Sequence, residues 1–269
     1  MSAFSTLMQT VLADGEGQYQ AAITDSWLQG RTAFGGLSTA LVTAAMRQQV
    51  AADRRLRALS VSFVGPAPAG QHRVILRPLR EGGSVTHIQG ELQCDGEVAT
   101  LVAAAYGKDR ASELVTAAAR RPDNIRAAEH CESMPYVEGM TPAFTQHFDM
   151  RLASGALPFS GADSADFAMW LAYKDATTMD ENAMVGLADA PPMPGLNQVK
   201  GLGVGSSLSW YLEFPELSAD AQHADGLWYL DYRCQAGSMG YFSNYATIYA
   251  PNGEAAMFSR QVATVFEKK

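Results

Sequence analysis

The chain reads twice through one plan, and that repetition limits its possible folds more than any other feature of its 269 residues. Leu59-Ser60 with Pro66 is matched 149 residues on by Leu208-Ser209 with Pro215. Gly83-Ser84 is matched after 154 residues by Gly237-Ser238, and Gly96-Glu97 after 157 by Gly253-Glu254. A slowly growing offset is what small insertions in loops produce, because loops tolerate them. Four matches in one order, on corresponding segments, indicate duplication.

Each half runs from helix to strands. In the first, Leu37, Ala40, Leu41, Ala44 and Ala45 fall at helical spacing within Leu37–Val50, after a short strand over Gln18–Trp27 and the run Phe34-Gly35-Gly36. Strand patterns follow over Leu56–Val64, Gln71–Leu79, Ser84–Cys94 and Glu97–Tyr106. Asp95-Gly96 is a two-residue hairpin signal, since both turn positions need positive φ. In the second half Phe144–Leu152 and Asp166–Lys174 read as strands. Thr178-Met179-Asp180-Glu181 has the form of a capping box, which starts a helix near Met179, and Pro191-Pro192 ends it. Strands then run over Ser206–Phe214, Gly226–Cys234, Met239–Tyr249 and Ala255–Phe266, with Asn252-Gly253 as the hairpin turn.

A helix followed by four antiparallel strands, twice over, is an α+β plan in which each helix lies against a sheet. The expected architecture is a double hot-dog: two antiparallel sheets, each wrapped around a central helix, able to pair through edge strands that would otherwise invite aggregation. The domain limits read as 1–110 for the N-terminal hot-dog, 111–140 for a linker with one short helix, and 141–269 for the C-terminal hot-dog.

Composition narrows the function classes. Apolar residues make up 47% and charged ones 18%, the balance of a globular chain. No stretch reaches the roughly 20 apolar residues of a membrane-spanning helix. Met1 to Tyr19 holds no Lys or Arg and no long apolar block, so no signal peptide is expected. Cys94, Cys131 and Cys234 are an odd number without C-x-x-C spacing, which fits the reducing cytoplasm and neither disulfides nor zinc. A formal charge of −8 disfavours nucleic acid. It leaves room for an anionic small molecule held by a local cluster of Arg or Lys. The five histidines (His72, His87, His130, His147, His223) show no metal-ligand spacing. Gly203-Val204-Gly205-Ser206 lacks the form of a nucleophile elbow, and Gly201–Gly205 lacks the Lys of a phosphate loop. Met134, Met140, Met193 and Met239 read as gap-filling core or groove residues.

Three motifs carry a family resemblance. Arg31-Thr32-Ala33-Phe34-Gly35-Gly36-Leu37 resembles the Phe-Gly-Gly opening of the first central helix in the type II acyl-CoA thioesterases, double hot-dog enzymes. Leu187-Ala188-Asp189 resembles their catalytic aspartate motif on the second central helix. Phe258-Ser259-Arg260-Gln261 resembles their closing strand with its catalytic glutamine, and Trp170, before the second helix, also fits. The motifs occur in order over nearly the whole chain, and the specificity lies in the set. The resemblance implies hydrolysis of a small-molecule acyl-CoA without cofactor or metal, no membrane partner, and assembly into a homo-oligomer. It also implies that Asp189 and Gln261 share one activated water. The family's third member is Thr or Ser. Here that position falls near Gly205, with Ser206 and Ser207 just after it. Ser206 is the expected substitute and Ser207 the alternative.

The chemistry is coherent for these residue types. A carboxylate accepts a proton from water while an amide fixes the water's orientation. Asp189 sits at a helix C-terminus, where the macrodipole disfavours negative charge; that and burial make it a better base. Otherwise Asp189 is a solvated residue before a Pro-Pro turn. Gln261 alternates with Arg260 and Val262, and the mix does not say which face of the strand is buried. Phe34, Gly35 and Gly36 open a helix whose first amides lack intrahelical partners and could receive a thioester carbonyl, or else simply pack tightly. Two other functions remain open. A non-catalytic hot-dog would bind acyl groups without turnover. An enoyl-CoA hydratase would carry Asp and His on a central helix, and neither Leu37–Val50 nor Met179–Asp189 contains His.

Overall fold

The computed structural model describes residues 3–222 and 226–267. The described residues form two compact units, neither continuous in sequence. Unit 1 takes those of Met1–Thr116, Tyr136–His147 and Tyr173–Ala190; unit 2 takes those of Ala117–Pro135, Phe148–Ala172 and Pro191–Lys269. Both are antiparallel sheet with few helices, an α+β architecture. Among the described residues no helix is long and apolar enough to cross a membrane.

Unit 1 opens with the short helix α1 (Phe4–Met8) and the strands β1 (Leu12–Gly15) and β2 (Gln18–Ile23). A small hairpin of β3 (Leu28–Gln29) and β4 (Thr32–Ala33) leads into α2 (Gly35–Gln49). The strands β5 (Arg54–Phe63), β6 (Gly70–Glu81), β7 (Val85–Cys94) and β8 (Glu97–Lys108) follow, and the spatial order is β1-β2-β6-β7-β8-β5. Helix α2 is buried all round from Gly36 to Met46, not along the one expected stripe, and it packs on β6, β7 and β8. A helix apolar on every side has no solvent face to offer, and this one forms the core of its unit. Asp95 and Gly96 take φ of 52° and 84°, the two-residue turn expected between β7 and β8.

The expected strand Gln18–Trp27 stops at Ile23. Asp25–Trp27 is a 3₁₀ turn that puts Trp27 into the core. Trp27 stacks between the rings of His147, at 4.0 Å, and Phe34, at 5.9 Å, and Phe34 stacks on Phe144 at 4.5 Å. This ladder fixes Phe34 at the start of α2. His147 Nε2 is within 3.1 Å of both the Ser26 carbonyl oxygen and Ser26 Oγ. Burial holds the His147 pKa below its usual 6.5, against the opposing pull of the Ser26 carbonyl and Asp175. The folded chain therefore binds this proton less readily than the unfolded one. The associated stability is fully present above about pH 6.5 and is lost as pH falls from there through the folded value. Urea midpoints should fall between about pH 7.5 and 5, and the fall should be smaller in His147→Phe. An equal fall in both proteins would remove His147 from the account.

Helix α3 (Glu181–Ala188) also belongs to unit 1 and packs on α2. It starts two residues later than the sequence suggests. Asp180 is the cap, its carboxylate accepting from the Ala183 N–H at 2.8 Å. The expected capping-box partner, Glu181, instead accepts from the Leu56 N–H at 2.7 Å and faces Arg47 at 3.8 Å. Burial raises its pKa above the usual carboxylate value. Thr43 Oγ1 on α2 donates to Asn182 Oδ1 on α3 at 2.8 Å, a polar link between the helices.

Unit 2 repeats the strand plan with β9 (Phe148–Ser154), β10 (Phe167–Tyr173), β11 (Gly203–Glu213), β12 (Trp228–Ser238), β13 (Tyr241–Tyr249) and β14 (Ala255–Glu267), in the order β11-β14-β13-β12-β10-β9. The run β6-β7-β8-β5 in unit 1 and β12-β13-β14-β11 in unit 2 are the same arrangement, as duplication requires. Phe144, expected to open β9, lies in a 3₁₀ turn over Ala143–His147. Residues 117–135, read as linker, pack onto unit 2. Arg121 N–H donates to the Gly253 carbonyl at 2.8 Å, Trp170 Nε1 donates to the Arg126 carbonyl at 2.9 Å, and Cys131 is buried. Met239, expected as the first residue of a strand, forms a tight turn with Gly240 (φ 52° and 82°) and is 95% exposed. Met140 is likewise 81% exposed, so neither fills a core; Met193 does, at 8%.

Candidate active site

The residues singled out from the sequence fall into two groups, one in each unit. In unit 1, the β3-β4 hairpin and the aromatic ladder set Phe34 in an extended conformation (φ −65°, ψ 149°) as the cap of α2. The Leu37 and Ser38 amides turn back to the Phe34 carbonyl, at 3.1 and 3.3 Å. The Gly35 and Gly36 N–H groups come before the first intrahelical bonds. Asp189, just past the last residue of α3, stands against this end. A methyl group on Gly35 would lie 2.7 Å from Asp189 Oδ2 and 2.7 Å from the Phe63 ring. One on Gly36 would lie 2.8 Å from the Gly186 carbonyl oxygen and 3.1 Å from Asp189 Cβ. Only glycines let the two helices approach so closely. Asp189 is half-buried and feels two helix ends. The C-terminus of its own helix disfavours its charge, and the N-terminus of the longer α2 favours it. The second effect was not legible in the sequence.

In unit 2, β14 settles which face of the closing strand points inward. Ser259, Gln261, Ala263 and Val265 are buried, at 4, 5, 0 and 6% exposure, while Arg260 points out. Gln261 is held at both ends of its amide. Its Oε1 accepts from the Tyr232 hydroxyl, and its Nε2 donates to Ser207 Oγ at 2.9 Å. Because the oxygen takes the tyrosine proton, the amide's orientation is defined rather than arbitrary. Tyr232 lies on β12, two strands away, and reaches across its small partner Ala246. Sequence reasoning missed Tyr232, because nothing along the chain links it to Gln261.

Of the two serines, Ser207 is the one whose hydroxyl meets Gln261. Gly205, at the expected position, has no room for a side chain, since a methyl there would meet Met193 Sδ at 2.3 Å. Ser207 is two residues on and keeps the same face, whereas Ser206 turns to the exposed side, its backbone carbonyl accepting from Thr264 Oγ1. A bulge between Ser207 and Ser209 then brings Trp210 opposite Gln261, where its Nε1 donates to Ser259 Oγ at 2.8 Å. Met193, Leu196, Val199, Ala263 and Val265 form an apolar cluster next to this polar chain. A polar group here exchanges hydrogen bonds in a low-dielectric setting, where each counts for more than in water.

A separate open cleft of about 560 Å³ in unit 1, lined by Glu16, Gly17, Gln49, Leu76, Arg77 and Pro78, contains none of these residues. Among the described residues no group of three His, Cys, Asp or Glu could hold a metal ion, and His223 lies outside them.

Residues 128–265 match the family model of the acyl-CoA thioesterase C-terminal domain, and residues 23–107 match that of the N-terminal domain. The chain belongs to the acyl-CoA thioesterase family. Solved structures agree on the hot-dog fold. A protein of unknown function from Alicyclobacillus acidocaldarius superposes with a TM-score of 0.83 at 20% identity, over 100% of both chains. A putative thioesterase II from Thermobifida fusca also gives 0.83, at 19% identity over 98% of each chain. An acyl-CoA thioesterase II from Mycobacterium marinum gives 0.72 at 16% identity over 99% of each. At such identities the likeness concerns the fold. No curated protein matches the chain. The family's two domain models fall on the two halves that the internal repeat marks out.

Proposed function

We propose that this acyl-CoA thioesterase family member, as a double hot-dog, hydrolyses acyl-CoA thioesters to free acid and CoA, using a water shared by Asp189 and Gln261. The observation that carries the reading is the hydrogen-bonded chain Tyr232–Gln261–Ser207, buried at its first two members. Burying the polar ends of Tyr232 and Gln261 in an apolar sheet face is unfavourable unless they pair, and the fold pairs them with each other and with the half-buried Ser207 so as to fix one amide. In the reaction, Asp189 takes a proton from the water, whose oxygen attacks the thioester carbonyl carbon. Gln261, held by Tyr232 and Ser207, orients that water. The Gly35 and Gly36 amides face the oxygen on which charge develops. Collapse of the tetrahedral intermediate breaks the C–S bond, and the proton on Asp189 passes to the departing thiolate. A cytoplasmic location and self-assembly accompany this reading.

Incubating the purified protein with acyl-CoAs from short to long chain, while following free thiol, tests it. Thiol release is expected for at least one chain length and is strongly reduced in Gln261→Ala. A folded protein that binds acyl-CoA tightly yet releases no thiol from any of them would be a binding protein instead.

A further inference from the structure

Asn244 on β13 stands opposite Gln261 of β14 on one side and Cys234 of β12 on the other. Directly opposed residues of an antiparallel sheet send their side chains to the same face, so the Asn244 amide is the neighbour of the Gln261 amide. It is 3% exposed, and neither its Oδ1 nor its Nδ2 has a hydrogen-bond partner among the described residues. Of the polar neighbours on that face, Ser259, diagonal on β14, has its Oγ engaged by Trp210 Nε1 at 2.8 Å, and the Cys234 thiol turns to the Ala236 carbonyl at 3.5 Å. Ala246 and Phe242 flank it along the strand, Ala263 lies diagonally on β14, and the hydroxyls of Tyr232 and Ser207 are bonded to Gln261. A buried amide without partners lowers stability, and an apolar residue of similar volume would avoid that loss. The position therefore suits an outside group that offers both a donor and an acceptor. An uncharged group fits best, because a charge buried against an amide would have no counter-ion.

We propose that Asn244 recognises a neutral hydrogen-bonding group of the substrate close to the thioester and thereby sets substrate preference. This rests on the reading of Gln261 as part of the hydrolytic site. The same chemistry has two sources in an acyl-CoA: a hydroxyl or oxo group on the acyl chain, or the first amide of the pantetheine arm.

Two ligand pairs separate the sources. One sets a straight-chain acyl-CoA against the 3-hydroxyacyl-CoA of equal length. The other sets an acyl thioester of N-acetylcysteamine against that of ethanethiol, which lacks the amide. The wild-type protein is expected to favour the polar member of one pair by at least about tenfold in kcat/KM, and Asn244→Ala to bring that ratio within about twofold of unity while the other pair's ratio stays put. Calorimetric titration with the corresponding non-hydrolysable thioethers should give the same pattern in Kd. If no thioester turns over, the hydrolase reading fails, and Asn244 is still judged on those binding ratios. Asn244→Leu fills the space without polar atoms. It should melt no lower than the wild type in the absence of ligand, yet lose the same ratio, which separates lost recognition from lost folding. Ratios that are equal in the wild type and both variants, in turnover and in binding, would overturn the proposal and assign the amide to a structural water.

Discussion

Asp189→Asn should lower kcat for thioester hydrolysis by about 10²- to 10⁴-fold, the usual contribution of a positioned general base. The KM should move far less, because the carboxylate acts on the proton in flight and not on substrate binding. Asparagine has nearly the same size and is at home in the conformation that Asp189 adopts after α3 (φ −101°, ψ 1°). The variant should therefore keep its circular dichroism spectrum, so that the loss reports chemistry. Stopped assays over a substrate range that brackets KM separate the two parameters. A fall of less than about fivefold would be too small for a general base and would move that role away from Asp189.

Gly35→Ala should cost almost as much, for a geometric reason. The added methyl lies 2.7 Å from Asp189 Oδ2 and from the edge of the Phe63 ring, both of which are ends of side chains that can turn aside. The chain should fold, but with the carboxylate displaced from the helix end, and a displacement of the order of 1 Å can reduce turnover about 10²-fold. Gly36→Ala makes the contrast. Its methyl meets the Gly186 carbonyl oxygen at 2.8 Å, and that backbone oxygen cannot rotate away without moving α3. Overpacking of this kind costs about 1–3 kcal/mol, so Gly36→Ala should lower Tm as well as activity. Thermal melts alongside kcat distinguish the two variants. A Gly35→Ala enzyme with wild-type turnover would show that the approach of Asp189 to α2 is mere packing.

Much of the fold was legible because it is written in local signals. The Asp95-Gly96 turn follows from two residues that accept positive φ, and α2 from apolar residues at helical spacing. The turn at Met239-Gly240 was hidden, since methionine is not a residue that usually takes the left-handed region. The cap of α3 was displaced by competition. Asp180 and Thr178 both carry capping groups, and Glu181, which would have completed the box, is drawn to the Leu56 amide, distant in sequence. That Ser207 shares the face of Gly205 could have been found by parity alone. A residue that replaces one at Gly205 must lie an even number of positions away to keep the same face of β11, and Ser206 does not.

The amino-acid order by itself determined the duplication, the α+β elements and the family, because offsets, periodicity and short motifs are properties of neighbours along the chain. Tertiary structure alone decided that the closing strand turns Gln261 inward, that Tyr232 reaches it over Ala246, and that Asp189 meets the amide end of α2. Those contacts join residues far apart in sequence, and which of them form depends on register, side-chain size and helix approach. No local pattern records these quantities.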